Sequence, residues 1–180
     1  PVLALSEAPA AEDVFTLHPA THVIGIGCER GVPIDDVRSL VETSLANAGV
    51  ALGAVACLAT IDLKEDERAF RELASEWGLP LRLYTAAELE EETSRVQNTS
   101  AYVFETVGCH SVAEAAALRS AGASAELVVP KRKNERVTCA IARSDTIVDP
   151  SAAGRASGRL TIVGIGPGQA SWRAPEATMP

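Results

Sequence analysis

No apolar run in the sequence approaches the roughly 20 residues that a helix needs to cross a bilayer. The opening Pro1-Val2-Leu3-Ala4-Leu5 has neither a basic flank nor a long apolar stretch. Both features set the expectation of a protein of the cytosol without a membrane partner. The four cysteines, Cys28, Cys57, Cys109 and Cys139, lie far apart with no C-x-x-C pair, so neither a disulfide framework nor a zinc site is expected and no protein metal site is assigned. Basic residues are in deficit: 16 Lys and Arg stand against 24 Asp and Glu, a formal net charge of −8, which argues against nucleic acid as a partner. An initiating Met is missing too, which points to a cut or processed start. Residues 1–20 hold no Lys or Arg, several alanines and Pro9 and Pro19, and read as a connecting arm.

What is present centres on Val23-Ile24-Gly25-Ile26-Gly27-Cys28-Glu29-Arg30-Gly31, a short apolar run that breaks into glycines before a long amphipathic segment. It reads as strand, loop, helix. Gly25, Gly27 and Gly31 lack the β-carbon that would block a positive φ or the close approach of a ligand. Such a loop can present backbone N–H groups and a helix N-terminus to an anion, or it can be a tight structural turn. Apolar residues at Ile34, Val37, Val41, Leu45 and Ala48 follow the helical period from Pro33 until Gly49 stops it. Val32 is a poor cap by side chain, so the glycine loop or a ligand must satisfy that helix's first N–H groups.

Strands and helices then alternate. Gly53–Ile61 is a second buried strand, and Asp62 with Glu65 has capping-box-like spacing ahead of a helix with Phe70, Leu73, Ala74 and Trp77 on one face. Leu79–Tyr84 is a third strand, and Thr85 with Glu88 forms a proper capping box. Its Glu90, Glu91 and Glu92 read as solvated. Ser100 caps a short helix that Gly108 ends, and Ser111 with Glu114 is another capping box, opening an alanine-rich helix to about Ala121. Glu126–Pro130 and Arg136–Ala142 read as a hairpin joined by the charged Lys131–Glu135, with Val137, Cys139 and Ile141 on one face. Residues 144–159 lack a period and suit a linker, after which Leu160–Gly168 starts a new strand and glycine loop. The expected architecture is a three-layer α/β/α sandwich with a mostly parallel sheet and a C-terminal β-hairpin.

Several motifs in order carry a resemblance: Gly25-Ile26-Gly27-Cys28-Glu29-Arg30-Gly31, Ala59-Thr60-Ile61-Asp62-Leu63-Lys64, Val107-Gly108 with Ser111-Val112-Ala113-Glu114-Ala115-Ala116-Ala117, and Val128-Val129-Pro130-Lys131. Together they resemble the CobE/CbiG C-terminal domain of cobalamin biosynthesis, over about residues 22–143. Leu160–Gly168 looks like the first strand and loop of a tetrapyrrole methyltransferase that uses S-adenosylmethionine, such as the precorrin-3B methyltransferase. The implied organisation is an arm at 1–20, the CobE/CbiG-like domain at 21–143, a linker at 144–159 and the start of a methyltransferase at 160–180. The chain departs from the family pattern at Asn98-Thr99-Ser100, where Asn-Pro-Ser is frequent, and at Cys109-His110.

What the resemblance implies is a part of a cobalt-precorrin-5A hydrolase, which opens a lactone on the macrocycle and releases acetaldehyde, or else a CobE-like module that binds or hands on a corrin intermediate without catalysis. The implied partners are a polycarboxylate corrin-ring intermediate and the remaining domains of a parent polypeptide. No cofactor is implied for this domain, and S-adenosylmethionine only for the missing methyltransferase part. Lactone opening needs an activated water, oxyanion stabilisation and a clamp for carboxylates. The substrate-binding candidates are Gly25, Gly27, Cys28, Arg30, Gly31 and Lys131. Arg30 can clamp a carboxylate or lie on the surface, and Cys28 can be a nucleophile or pack the loop. Asp62, Lys64 and Glu114 are the catalytic candidates, with capping as the other role open to Asp62 and Glu114. His110 can titrate near neutral pH or be polar surface. The basic group Lys131, Arg132 and Lys133 would attract a polycarboxylate, or form a solvated turn.

Overall fold

The structure, a computed structural model, describes residues 2–10 and 14–157. The methyltransferase-like segment at 160–180 lies outside the described residues. Six strands make the main sheet, in the order β6 (Glu126–Lys133), β7 (Val137–Arg143), β3 (His22–Cys28), β4 (Val55–Ile61), β5 (Leu81–Tyr84) and β8 (Arg155–Ala156). β3, β4 and β5 run parallel because α1 (Ile34–Ala48) and α2 (Arg68–Trp77) carry the chain back between them. β7 pairs antiparallel with β3 and with β6, and β8 antiparallel with β5. The sheet is therefore mixed rather than mostly parallel: β7 returns from β6 through a hairpin, and the chain then passes to the far edge, where β8 runs antiparallel to β5.

Period-two alternation divides β3 between two cores. Ile24, Ile26 and the half-buried Cys28 join Val37, Val41, Phe70 and Leu73 under α1 and α2, where Val137, Cys139 and Ile141 of β7 also lie, as their alternation requires. Val23 faces the other way, toward Ala115, Ala116, Ala117 and Leu118 of α5 (Ala113–Ala121). Three layers result, as expected. On the α5 side, β3 offers only glycine at 25 and 27. A β-carbon at Gly25 would stand 1.9 Å from the Ala113 carbonyl oxygen, so this glycine exists to let an alanine-rich helix lie against the strand. Gly25 thus packs against α5, which corrects its reading as a ligand-loop residue, whereas a β-carbon at Gly27 would meet the Thr138 hydroxyl of β7 first, at 2.9 Å.

The arm and the linker are also built into the fold. β1 (Val2–Leu5) and β2 (Val14–Leu17) pair in parallel as a separate ribbon. Glu7 latches it to the sheet: Arg143 donates to its carboxylate at 3.0 Å, Thr21 at 2.8 Å, and the Ala51 N–H to its carbonyl at 2.8 Å. Arg143 holds the Glu7 carboxyl below the usual range, ahead of the opposing effect of burial. At the other end, the buried Arg82 donates to the carbonyls of Ala153 and Gly154, while the Ser157 N–H donates to the Leu81 carbonyl. Residues 153–157 thus close the β5 edge, where buried Arg82 takes the Ala153 and Gly154 carbonyls.

Two capping expectations fail. Asp62–Lys64 is a single 3₁₀ turn, and α2 begins later, after Glu67, without a side-chain cap. Ser111 does not cap α5 either; its hydroxyl is buried without a partner among the described residues. Replacing Ser111 by Ala should therefore change stability in urea unfolding by less than about 0.5 kcal/mol, whereas loss of a working cap would cost about 1 kcal/mol. The Thr85 and Glu88 box forms as read, opening α3 (Ala86–Glu90), and Ser100 caps α4 (Ala101–Val107). No helix among the described residues is long and apolar enough to cross a membrane.

Candidate functional site

The loops that leave β3, β4 and β5 share one crest of the sheet, the position where open α/β sheets place ligands. After β3 the chain turns through Glu29, Arg30 and Gly31, the last at φ +67°, where glycine is favoured. The Gly31 N–H is already satisfied: it donates to both carboxylate oxygens of Glu67, at 3.1 and 3.2 Å. Glu67 is only 4% exposed, and Lys64 lies 3.9 Å from it with its side chain 14% exposed. The anion that the glycine loop calls for is thus the chain's own Glu67, a residue that the sequence did not single out. Its only sequence signal is position, three residues after Lys64, which places both on one side of a helical turn.

Arg30 spans from this loop to the next one. It pairs with Asp66 and donates to the Leu63 carbonyl at 2.5 Å. The Asp66 hydrogen bond holds the Arg30 pKa up and its own carboxyl down, but both groups are exposed, so the pair is a solvated strut. Arg136, from the turn between β6 and β7, donates to Glu29 and to the Arg30 carbonyl, both at 3.3 Å. Burial pushes the Cys28 thiol up to about 12, against the pull of Lys64, Arg30 and Arg136. The half-buried thiol packs beside the α1 and α2 core.

Asp62 and Lys64 leave the same turn in different directions. Lys64 approaches Glu67, whereas Asp62 lines an open cleft of about 530 Å³ with Leu83, Thr85, Glu88, Gly154 and Arg155. Arg155, which the sequence assigned to a linker, stands there because β8 pairs with β5, and it reaches Glu65 at 3.1 Å.

Glu114 lies on the far side of β3, and it is neither a cap nor open to substrate. Fully buried in α5, it accepts from the backbone N–H groups of Gln97 (2.8 Å) and Asn98 (2.9 Å) through Oε2, and from Asn98 Nδ2 and the Lys131 N–H, both at 2.8 Å, through Oε1. Burial alone would raise its pKa, but these donors overcome it and hold the carboxyl below the usual range. All the acceptor capacity of the carboxylate is in use, which removes Glu114 as an acid or base for substrate. Lys131 belongs to β6 rather than to the hairpin loop, and its ammonium donates to the Asn98 carbonyl at 3.1 Å. His110 is tied to Glu90, which accepts both its backbone N–H (2.9 Å) and its Nδ1 (2.8 Å), so that Glu90 is not simply solvated. Among the described residues no cluster of His, Cys, Asp or Glu has the arrangement of a metal site.

Fold and site together define a three-layer α/β domain whose sheet crest gathers paired cations and carboxylates beside an open cleft. The family described as cobalamin synthesis G C-terminus matches residues 22–142, and the chain belongs to that family. It is 43% identical over 125 residues to protein CobE of Sinorhizobium sp., covering 69% of this chain and 81% of that protein. It is 32% identical over 136 residues to the cobalt-precorrin-5A hydrolase of Priestia megaterium, covering 76% of this chain but 36% of the hydrolase. The crystal structure of CobE, a protein from the cobalamin (vitamin B12) biosynthetic pathway, superposes with a TM-score of 0.64 at 36% identity, over 69% of this chain and 91% of that one.

Proposed function

We propose that this domain binds a corrin-ring intermediate of cobalamin biosynthesis as the C-terminal part of a cobalt-precorrin-5A hydrolase-type protein. The observation that supports the reading lies at the end of the sheet where β3 and β6 finish: Arg30, Lys64 and Arg136 each stand beside a carboxylate there, of Asp66, Glu67 and Glu29, whereas Lys131 at the same end has no acidic partner among the described residues. A polycarboxylate macrocycle is a ligand class that an ammonium left without an acidic partner would attract. In lactone opening, Asp62 beside the cleft is the candidate to take a proton from water, whereas Lys64 turns to Glu67 and does not line that cleft. The hydrolase relative is much longer than the matched stretch, so this reading includes further domains of a parent polypeptide, with residues 160–180 as the start of an S-adenosylmethionine-dependent methyltransferase. A cytosolic setting and the absence of a cofactor in this domain belong to the same proposal.

A CobE-like binding module is the second reading, favoured by the 81% coverage of the CobE relative and by the complete burial of Glu114. Adding cobalt-precorrin-5A to the chain, and in parallel to the intact parent polypeptide, separates the two. Acetaldehyde released by the parent alone is the expected result and places the active site across domains. Release by neither, with tight binding of the macrocycle, would establish the carrier role instead.

A further inference from the structure

We infer that Glu114 is a positioning residue that aims the Lys131 ammonium at a carboxylate of the bound macrocycle, an inference that rests on the crest being a polycarboxylate site. The geometry is specific. Two atoms fix the direction of the Lys131 side chain: its own backbone nitrogen, and the Asn98 carbonyl oxygen that its Nζ touches at 3.1 Å. A single carboxylate sets both. Glu114 Oε1 holds the Lys131 N–H and Asn98 Nδ2, each at 2.8 Å, while Oε2 holds the N–H groups of Gln97 and Asn98. Lysine is otherwise a flexible donor on a four-carbon stem, and its aim needs such outside support.

The Asn98 contact uses one of the three ammonium protons, and no other partner of Lys131 Nζ occurs among the described residues. Two donors are left to face a ligand. Lys131 itself is partly exposed, whereas Glu114 is completely covered, so the carboxylate cannot meet the ligand and acts only through the lysine. This arrangement also explains a buried charge that neither caps its helix nor pairs with a cation.

The test is a double-mutant cycle with uroporphyrin, a polycarboxylate porphyrin, as the probe, read by absorbance titration of the full chain. Lys131→Met and Glu114→Gln should each weaken binding about ten-fold, the size expected for one charge-assisted hydrogen bond. The double variant should bind no more weakly than Lys131→Met alone. Where Glu114→Gln does not fold, Glu114→Asp serves, since it keeps the charge but shortens the reach by a methylene. An equal loss on changing Glu114 in the Lys131→Met background would show a general scaffold role and overturn the inference. So would unchanged affinity in Lys131→Met, or an absence of uroporphyrin binding to the wild-type chain. Acetaldehyde release by the parent polypeptide is independent of these outcomes, so the inference can fail while the hydrolase reading stands.

Discussion

Gly25→Ala is expected to destabilise the protein by about 3 kcal/mol or more, near the upper end of overpacking substitutions. The new β-carbon would lie 1.9 Å from the Ala113 carbonyl oxygen and 2.8 Å from the Ala117 nitrogen, both backbone atoms of α5. Neither can rotate aside, so the whole helix must lift from β3. Gly27→Ala supplies the control. Its nearest neighbour would be the Thr138 hydroxyl at 2.9 Å, a side-chain atom that can turn away, and about 1 kcal/mol is expected. Urea unfolding followed by Trp77 fluorescence compares the two, and equal losses would remove the close-packing account of Gly25.

The second large effect is expected at Glu114. Glu114→Ala leaves four donors without their acceptor inside the protein, and about 3–5 kcal/mol should be lost at pH 7, as when one partner of a buried charged network is removed. The pH dependence follows from the direction of its pKa. The folded-state value lies below the unfolded one, so the stabilisation is fully present above the ordinary glutamate range and is lost as pH falls through the depressed folded value. Stability measured from pH 6 down to pH 3 should therefore fall less steeply in Glu114→Gln than in the wild type. Parallel curves would mean that the carboxylate is not held in its charged form by its donors.

The two predictions concern residues whose importance was visible in the sequence and whose roles were not. Gly25 and Gly27 stood out because glycine in an apolar strand demands a reason, but a sequence offers two reasons, a ligand or a second backbone. Only the placement of α5 against β3 decided between them. Glu114 stood in a spacing that fits a capping box, yet its side chain turns to Asn98 and Lys131, which are distant in sequence and supply four well-placed donors instead of one. Asp62 and Glu65 show the same limit in reverse: local spacing proposed a helix start, and a 3₁₀ turn delayed it to Arg68. Glu67 went unnoticed because its partner Gly31 is reached only across the crest. Arg155 was missed because a two-residue edge strand has no periodicity to detect.

By itself the sequence determined the alternation of strands and helices, the two-faced strand β3, the Thr85 box, the hairpin and the family. Each of these depends on neighbours within a few residues or on an ordered set of motifs, which is information that lies along the chain. The tertiary structure alone decided the antiparallel flanks of the sheet, the capture of the arm by Glu7 and the meeting of Glu67 with Gly31. It also decided the clamp of Glu114 on Lys131. Buried polar groups take whichever partner the packing brings within about 3 Å, and that choice is made between segments far apart in sequence.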